Sequence, residues 1–170
     1  MYKRQAVDVD AIEFRHVMGH FPTGVSVITT VHDGVQHGMT ANSVTSVSLE
    51  PVMLLVCLMR EARTALAIQN AGHFAVNILG EHQEEISRRF AKAGQDHFDG
   101  LDVKEGPNGI PMLPGCLAYV TCRVHEVVPA GDHDIVLGTV EHCEADVNGG
   151  NPLVFFQGGY RTLPGMGRLG

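Results

Sequence analysis

Several common signatures are missing from this chain. No Gly-x-Gly-x-x-Gly opens a helix after a strand, which argues against a Rossmann nucleotide fold. There is no Walker-type loop and no Gly-x-Ser-x-Gly elbow, so phosphate-loop and serine-hydrolase chemistry have no support. Cationic residues are scarce: 12 Lys and Arg stand against 19 Asp and Glu, and the net charge of -7 argues against broad binding to nucleic acid or anionic lipid. The longest apolar run, Val52 to Met59, is too short for a bilayer and reads as a buried strand. The first residues show no apolar signal-peptide core, which leads us to expect a cytoplasmic protein. None of Cys57, Cys116, Cys122 and Cys143 forms a Cys-x-x-Cys pair, so all four are expected to be reduced and structural.

The 170 residues, 44% of them hydrophobic, fit one domain with a real core, and 20 glycines and 8 prolines suit a turn-rich β fold. The pattern predicts helices over 11–20, 64–71 and 81–92. It predicts strands over 25–32, 35–39, 44–49, 52–58, 74–79, 117–128, 135–145 and 153–157. Asp33-Gly34 marks a hairpin, and the two longest strands are expected to pair across a turn at 129–133. Residues 94–115 read as a long irregular connection, a kind that is often functional. Many strands, few helices and no βαβ alternation point to a mainly β, barrel-like antiparallel fold.

Four segments carry candidate chemistry. His37-Gly-Met-Thr-Ala-Asn-Ser43 interrupts a strand-like region with small, hydrogen-bonding residues that let a backbone approach a flat ligand. A polar surface turn fits the same residues. Cys57-Leu-Met-Arg-Glu-Ala-Arg-Thr64 leaves a buried strand and enters a helix, so Arg60, Arg63, Thr64 and free N–H groups form a candidate phosphate cradle; a solvated charged turn is the alternative. In Ser87-Arg-Arg-Phe-Ala91, adjacent arginines face different ways, so at most one of Arg88 and Arg89 reaches a ligand; cations placed at a helix end are the alternative. In Gly131-Asp132-His133 a tight turn accounts for the first two residues and not for His133, which could stack on a planar ligand or titrate near neutral pH. His16 and His20 stand four apart, but Val17 occupies the position where a zincin needs Glu, and no metal site is expected.

In this order the segments resemble the flavin reductase family, the FMN-binding split barrel. Carrying the resemblance are Phe21-Pro-Thr-Gly-Val25, Gly38-Met-Thr-Ala-Asn-Ser43, Val47-Ser-Leu-Glu-Pro51, Phe74-Ala-Val-Asn-Ile-Leu79, Arg89-Phe-Ala91, Gly131-Asp-His133, Gly138-x-Val140 and Pro152-Leu-Val-Phe-Phe156 leading to Gly159-Tyr160. It covers nearly the whole chain and is most similar to the small reductase components of two-component flavin-dependent monooxygenases. The resemblance implies one domain over 1–170, with flexible tails at 1–9 and 162–170, and a homodimer of split β-barrels holding flavin in a groove at the interface. It implies an NAD(P)H:flavin oxidoreductase that uses NADH or NADPH to reduce FMN or FAD for a partner monooxygenase. Met39, Thr40, Ala41, Asn42 and Ser43 would line the isoalloxazine. Cys57, Leu58, Arg60, Arg63 and Thr64 would curl round the ribityl phosphate with Arg88 or Arg89, Phe90 and Ala91. Gly131, Asp132 and His133 would hold the nicotinamide side, with His133 near the hydride-transfer face, and Tyr160 would close the pocket.

Glu61 departs from the family pattern, placing a carboxylate inside that cradle: either it points to solvent or it weakens phosphate binding, as suits a flavin that leaves as product. A flavoprotein with tightly bound flavin for electron transfer, and a non-catalytic flavin- or haem-binding barrel, are the alternatives. A mere binder would not need Gly131-Asp132-His133 with Tyr160.

Overall fold

The computed structural model describes residues 9–94, 96–146 and 149–163. The expected tails fall mostly outside these residues. In chain order the elements are α1 (Ala11–Met18), β1 (Thr23–Gly24), β2 (Ser26–His32), β3 (Val35–Ala41), β4 (Val44–Leu49), β5 (Val52–Met59), α2 (Arg63–Ala71) and β6 (His73–Ile78). There follow α3 (Glu84–Phe90), β7 (Lys104–Glu105), β8 (Pro111–Met112), β9 (Ala118–Ala130), β10 (His133–Ala145), β11 (Val154–Phe156) and β12 (Gly159–Arg161). No helix among the described residues is long and apolar enough to cross a membrane.

Seven strands form one antiparallel sheet in the order β3-β2-β6-β9-β10-β5-β4. Asp33 and Gly34 both take positive φ, the geometry that a two-residue hairpin loop requires, and they join β2 to β3 in register His32↔Val35. The long strands β9 and β10 pair along their whole length across Gly131-Asp132. Gly138 marks one of their two irregularities, where an added Cβ would lie 2.7 Å from Cys122 Cβ and 2.8 Å from Phe74 Cζ. The sheet does not close into a barrel: β3 and β4 end the strand order and share no ladder. A two-residue link, Asn42-Ser43, carries the chain from one edge strand to the other, so the strand break falls after Ala41, and His37 to Ala41 belong to β3 itself.

Ser26 to Thr30 of β2 are all buried. The main core holds Ile28, Leu58, Phe74 and Val136 of the sheet with Ala65 and Ile68 of α2. A second core joins Val25, Val27 and Leu79 to Phe90, Phe98, Leu113 and Leu153. Burying the hydroxyls of β2 requires partners, and Thr29 Oγ1 donates to Pro111 O at 2.7 Å and Thr30 Oγ1 to His73 O at 2.7 Å. Fully buried Asn77 donates to Val27 O at 3.0 Å and accepts from Leu113 N at 2.9 Å, tying the long connection to the sheet.

Three local expectations change. The helix expected over 81–92 is a 3-10 turn at Glu81–Gln83 followed by α3, and it stops at Phe90 because the chain folds back to pack Phe98 on Phe90, ring centroids 5.0 Å apart. The connection expected to be irregular contains the β7–β8 hairpin, closed by Gly106 N donating to Ile110 O at 2.8 Å. Thr23-Gly24, which fell between the expected first helix and first strand, is a strand of a second small sheet, β1-β11-β12, which carries Tyr160.

Candidate functional site: a cleft between an edge strand, a helix start and a loop

A cleft of about 1170 Å³ opens along β3. One wall is β3 from Val35 to Ala41, continued by Asn42. As an edge strand, β3 has a row of backbone groups with no ladder partner. The second wall is the β5–α2 connection and the first turn of α2: Met59, Glu61, Ala62, Arg63 and Thr64. No side chain caps α2, so its leading N–H groups and Arg63 together favour an anion. The third wall is Phe90 with the loop after α3, including Lys92, Asp96, His97 and Phe98. Phe155 and Tyr160 of the small sheet complete it.

The walls are braced from behind. Thr40 Oγ1 donates to Ser87 O at 2.6 Å, and Ser87 Oγ lies 2.7 Å from Tyr160 Oη. Arg88 stacks over the Tyr160 ring, 4.8 Å from its centroid, while pairing with Glu84 at 2.7 Å. Gly38 permits the closest approach: a Cβ there would sit 2.6 Å from Phe90 Cε1. Arg89 donates to the carbonyls of Asp96 and Asp99, and His97 Nε2 lies 2.6 Å from Lys92 O, which together hold the loop against the cleft.

Of the residues to which the resemblance gives a binding role, Met39, Thr40, Ala41, Asn42, Arg63, Thr64, Phe90, Ala91 and Tyr160 line this cleft. The others lie outside its lining. Ser43 Oγ donates to Cys57 O at 2.8 Å, joining the start of β4 to β5. Leu58 is wholly buried in the main core. Arg60 is engaged by the buried Asp134, Nε to Oδ1 2.9 Å, and its N–H donates to Asp132 O at 3.1 Å. Gly131, Asp132 and His133 form the β9–β10 turn, where His133 faces Met59 of the cleft rim across the β10–β5 ladder. His133 Nδ1 lies 2.8 Å from Asp132 Oδ1, and this hydrogen bond is the main cause that holds the Asp132 carboxyl below its usual range. His20 Nδ1 is turned onto His16 O at 3.0 Å, and no group of three or more metal-binding side chains converges among the described residues.

Sequence reasoning gave no site role to His97, Phe98 and Phe155, and quoted His37, Gly38 and Met59 only inside candidate segments, while Glu61 was placed in the cradle as a departure; all seven line the cleft. Only the length of the connection after α3 hinted at His97 and Phe98; nothing local marks Phe155. His37 is held below the ordinary imidazole pKa by burial first, then by Arg63 and His32, which keeps its ring neutral near pH 7.

A family model described as flavin reductase like domain matches residues 18–164. The chain belongs to this flavin reductase family. It is 43% identical over 150 residues to the reductase component of the 4-nitrophenol 4-monooxygenase/4-nitrocatechol 2-monooxygenase of Rhodococcus opacus, covering 88% of this chain and 80% of the relative. Among solved structures, nitrilotriacetate monooxygenase component B of Mycobacterium thermoresistibile matches with a TM-score of 0.86 at 37% identity, over 93% of this chain and 92% of its own. The NADH:FAD oxidoreductase SgcE6 of Streptomyces globisporus, solved with NAD and FAD fragments, matches with a TM-score of 0.84 at 37% identity, over 89% of this chain and 92% of its own. This flavin reductase chain is mainly β with short helices, and its small sheet brings Phe155 and Tyr160 to the cleft.

Proposed function

We propose that the chain is an NAD(P)H:flavin oxidoreductase that reduces FMN or FAD and supplies it to a partner monooxygenase. The observation that carries the reading is the cleft itself, with an edge strand on one side and an uncapped helix start bearing Arg63 on the other. These residues suit a flavin. Unpaired donors along β3, continued by Asn42, offer hydrogen bonds to the polar rim of the ring and to negative charge growing at N1 and O2. Arg63, Thr64 and the first N–H groups of α2 hold the phosphate. Phe90, Ala91 and Tyr160 enclose the ring. When bound, the flavin takes a hydride at N5 from nicotinamide C4, and the chemistry is carried by the two cofactors. The protein's task is to stack the rings at near-contact distance, roughly 3–3.5 Å between reacting atoms.

His133, with Gly131 and Asp132, positions the nicotinamide from the rim beside Met59. Cys57, Leu58, Arg60, Arg88 and Arg89 act from behind the cleft wall, holding the groups that touch the ligand. Glu61 in the cleft lining places a carboxylate near the phosphate site, which favours a flavin that exchanges over one held permanently.

The whole chain acts as one cytoplasmic domain, and two copies pair as split barrels along the open seam between β3 and β4. Support for pairing comes from α1, which buries none of its residues and leaves Ile12, Phe14 and Val17 exposed, and from β4, which leaves Val47 and Leu49 exposed. The test is a two-by-two assay of NADH and NADPH against FMN and FAD. Nicotinamide oxidation that requires added flavin supports the reading; no oxidation with any of the four pairs removes it. Oxidation without added flavin by protein that stays yellow through gel filtration would favour a permanent cofactor.

A further inference from the structure

Strand alternation separates two functions on β3. Gly38 turns toward Phe90 and Phe98, so its neighbour His37 turns the other way, toward the start of α2. There His37 meets a guanidinium and a second imidazole. Arg63 is the first residue of α2, and His32 lies on β2 diagonally across the hairpin, since His37 pairs with Thr30. Arg63 makes no ion pair among the described residues, whereas His32 Nε2 lies 3.4 Å from Asp33 Oδ2. The other charged groups lining the cleft are Glu61 on the β5–α2 connection and Lys92, Asp96 and His97 on the loop after α3. Arg63 and an uncapped helix start thus make a locally positive corner, with a half-buried imidazole as its third member.

We infer that His37 is a phosphate-coupled proton acceptor: it takes up a proton when the flavin phosphate docks beside Arg63. The inference rests on the flavin reading above and adds a residue and a linkage to it. In the free cleft, burial first, then Arg63 and His32, disfavour the imidazolium. A phosphate of charge near -2 placed between Arg63 and His37 reverses the sign of that field and favours the charged ring. Bound protein then holds more protons than free protein between the two His37 pKa values. Affinity for a phosphate-bearing flavin is greatest below the free value and falls as pH rises through the bound one. The slope approaches about tenfold per pH unit for one full proton. A flavin without phosphate feels none of this.

Isothermal titration of the full-length protein at pH 7, in two buffers of different ionisation enthalpy, counts the protons directly. FMN should bind the wild type with uptake of about half a proton or more. Riboflavin should bind with none, and H37Q should bind FMN with the uptake lost. FMN binding without uptake, equal uptake with riboflavin, or undiminished uptake in H37Q would each overturn the role of His37 and leave the flavin site standing. Failure of the wild type to bind either flavin would overturn the flavin site, and the linkage with it. Should H37Q fail to fold, judged by circular dichroism, the comparison of FMN with riboflavin in the wild type decides alone.

Discussion

Ser87 Oγ lies 2.7 Å from Tyr160 Oη, joining α3 to β12 across 73 positions of sequence. Ser87 is wholly buried, and its carbonyl also accepts the Thr40 hydroxyl. One residue therefore links β3, α3 and the small sheet, each of which contributes to the cleft lining. Tyr160→Phe strands the buried serine hydroxyl and should cost about 1–2 kcal/mol in chemical denaturation. Ser87→Ala with Tyr160→Phe should cost less than the two single changes summed, because the second removes a group that the first had already stranded. Full additivity would show that the hydroxyls are not coupled.

Gly38 faces Phe90 at a distance that admits no side chain. Gly38→Ala places a methyl 2.6 Å from Phe90 Cε1 and 3.1 Å from Phe98 Cζ. Phe90 is itself packed in the second core and meets Phe98 edge-on, so it has little room to yield. The substitution should cost about 1–3 kcal/mol of stability. It should also weaken flavin binding by displacing β3 or the loop wall. Unchanged thermal midpoint and flavin affinity would mean that the ring moves aside freely.

Of the four thiols, Cys57 is half-buried and the other three divide into two classes. Cys116 and Cys122 are buried, and burial pushes their pKa values up to about 11 and about 12. Cys143 is exposed. At pH 8 a disulfide reagent should label Cys143 promptly and reach Cys116 and Cys122 only on unfolding. Both buried groups are more easily protonated in the folded state than the ordinary thiol value of 9.0. Their contribution to stability is therefore complete below pH 9 and is lost as pH climbs from 9 towards 12. The slope for each thiol is at most about 1.4 kcal/mol per pH unit. Denaturation midpoints at pH 8.5 and 10.5 check this, and Cys122→Ala should flatten the fall.

Local chemistry made much of this fold legible. Asp33-Gly34 announces its hairpin because only a few residues accept two positive φ values in succession. The long β9–β10 pair shows itself in two runs flanking Gly131-Asp132. Less legible was anything decided by partners distant in sequence. Arg60 reads as a phosphate ligand from its neighbours, yet its guanidinium is engaged by Asp134, 74 positions away, which also accepts Gln69 Nε2 at 3.1 Å. Thr23-Gly24 becomes a strand only because β11 returns beside it. The cleft shows the same division: Met39 to Asn42 stand out by composition, while Phe155 and Phe98 arrive from separate segments and carry no local mark.

Arg89 distinguishes a ligand contact from a brace. Its guanidinium donates to the carbonyls of Asp96 and Asp99, at the two ends of the stretch that contributes His97 and Phe98 to the cleft. Arg89→Ala removes both donations, frees the loop, and should weaken flavin binding by about fivefold to tenfold, the equivalent of roughly one ordinary hydrogen bond. Because the effect runs through the wall and not through the phosphate, riboflavin and FMN should lose affinity in the same proportion. Both donations leave from the one nitrogen Nη2, so lysine, whose ammonium also carries several donors, should restore part of the lost affinity. Titration of both flavins against wild type, Arg89→Ala and Arg89→Lys checks each step. A loss confined to FMN would move Arg89 from the wall to the phosphate itself.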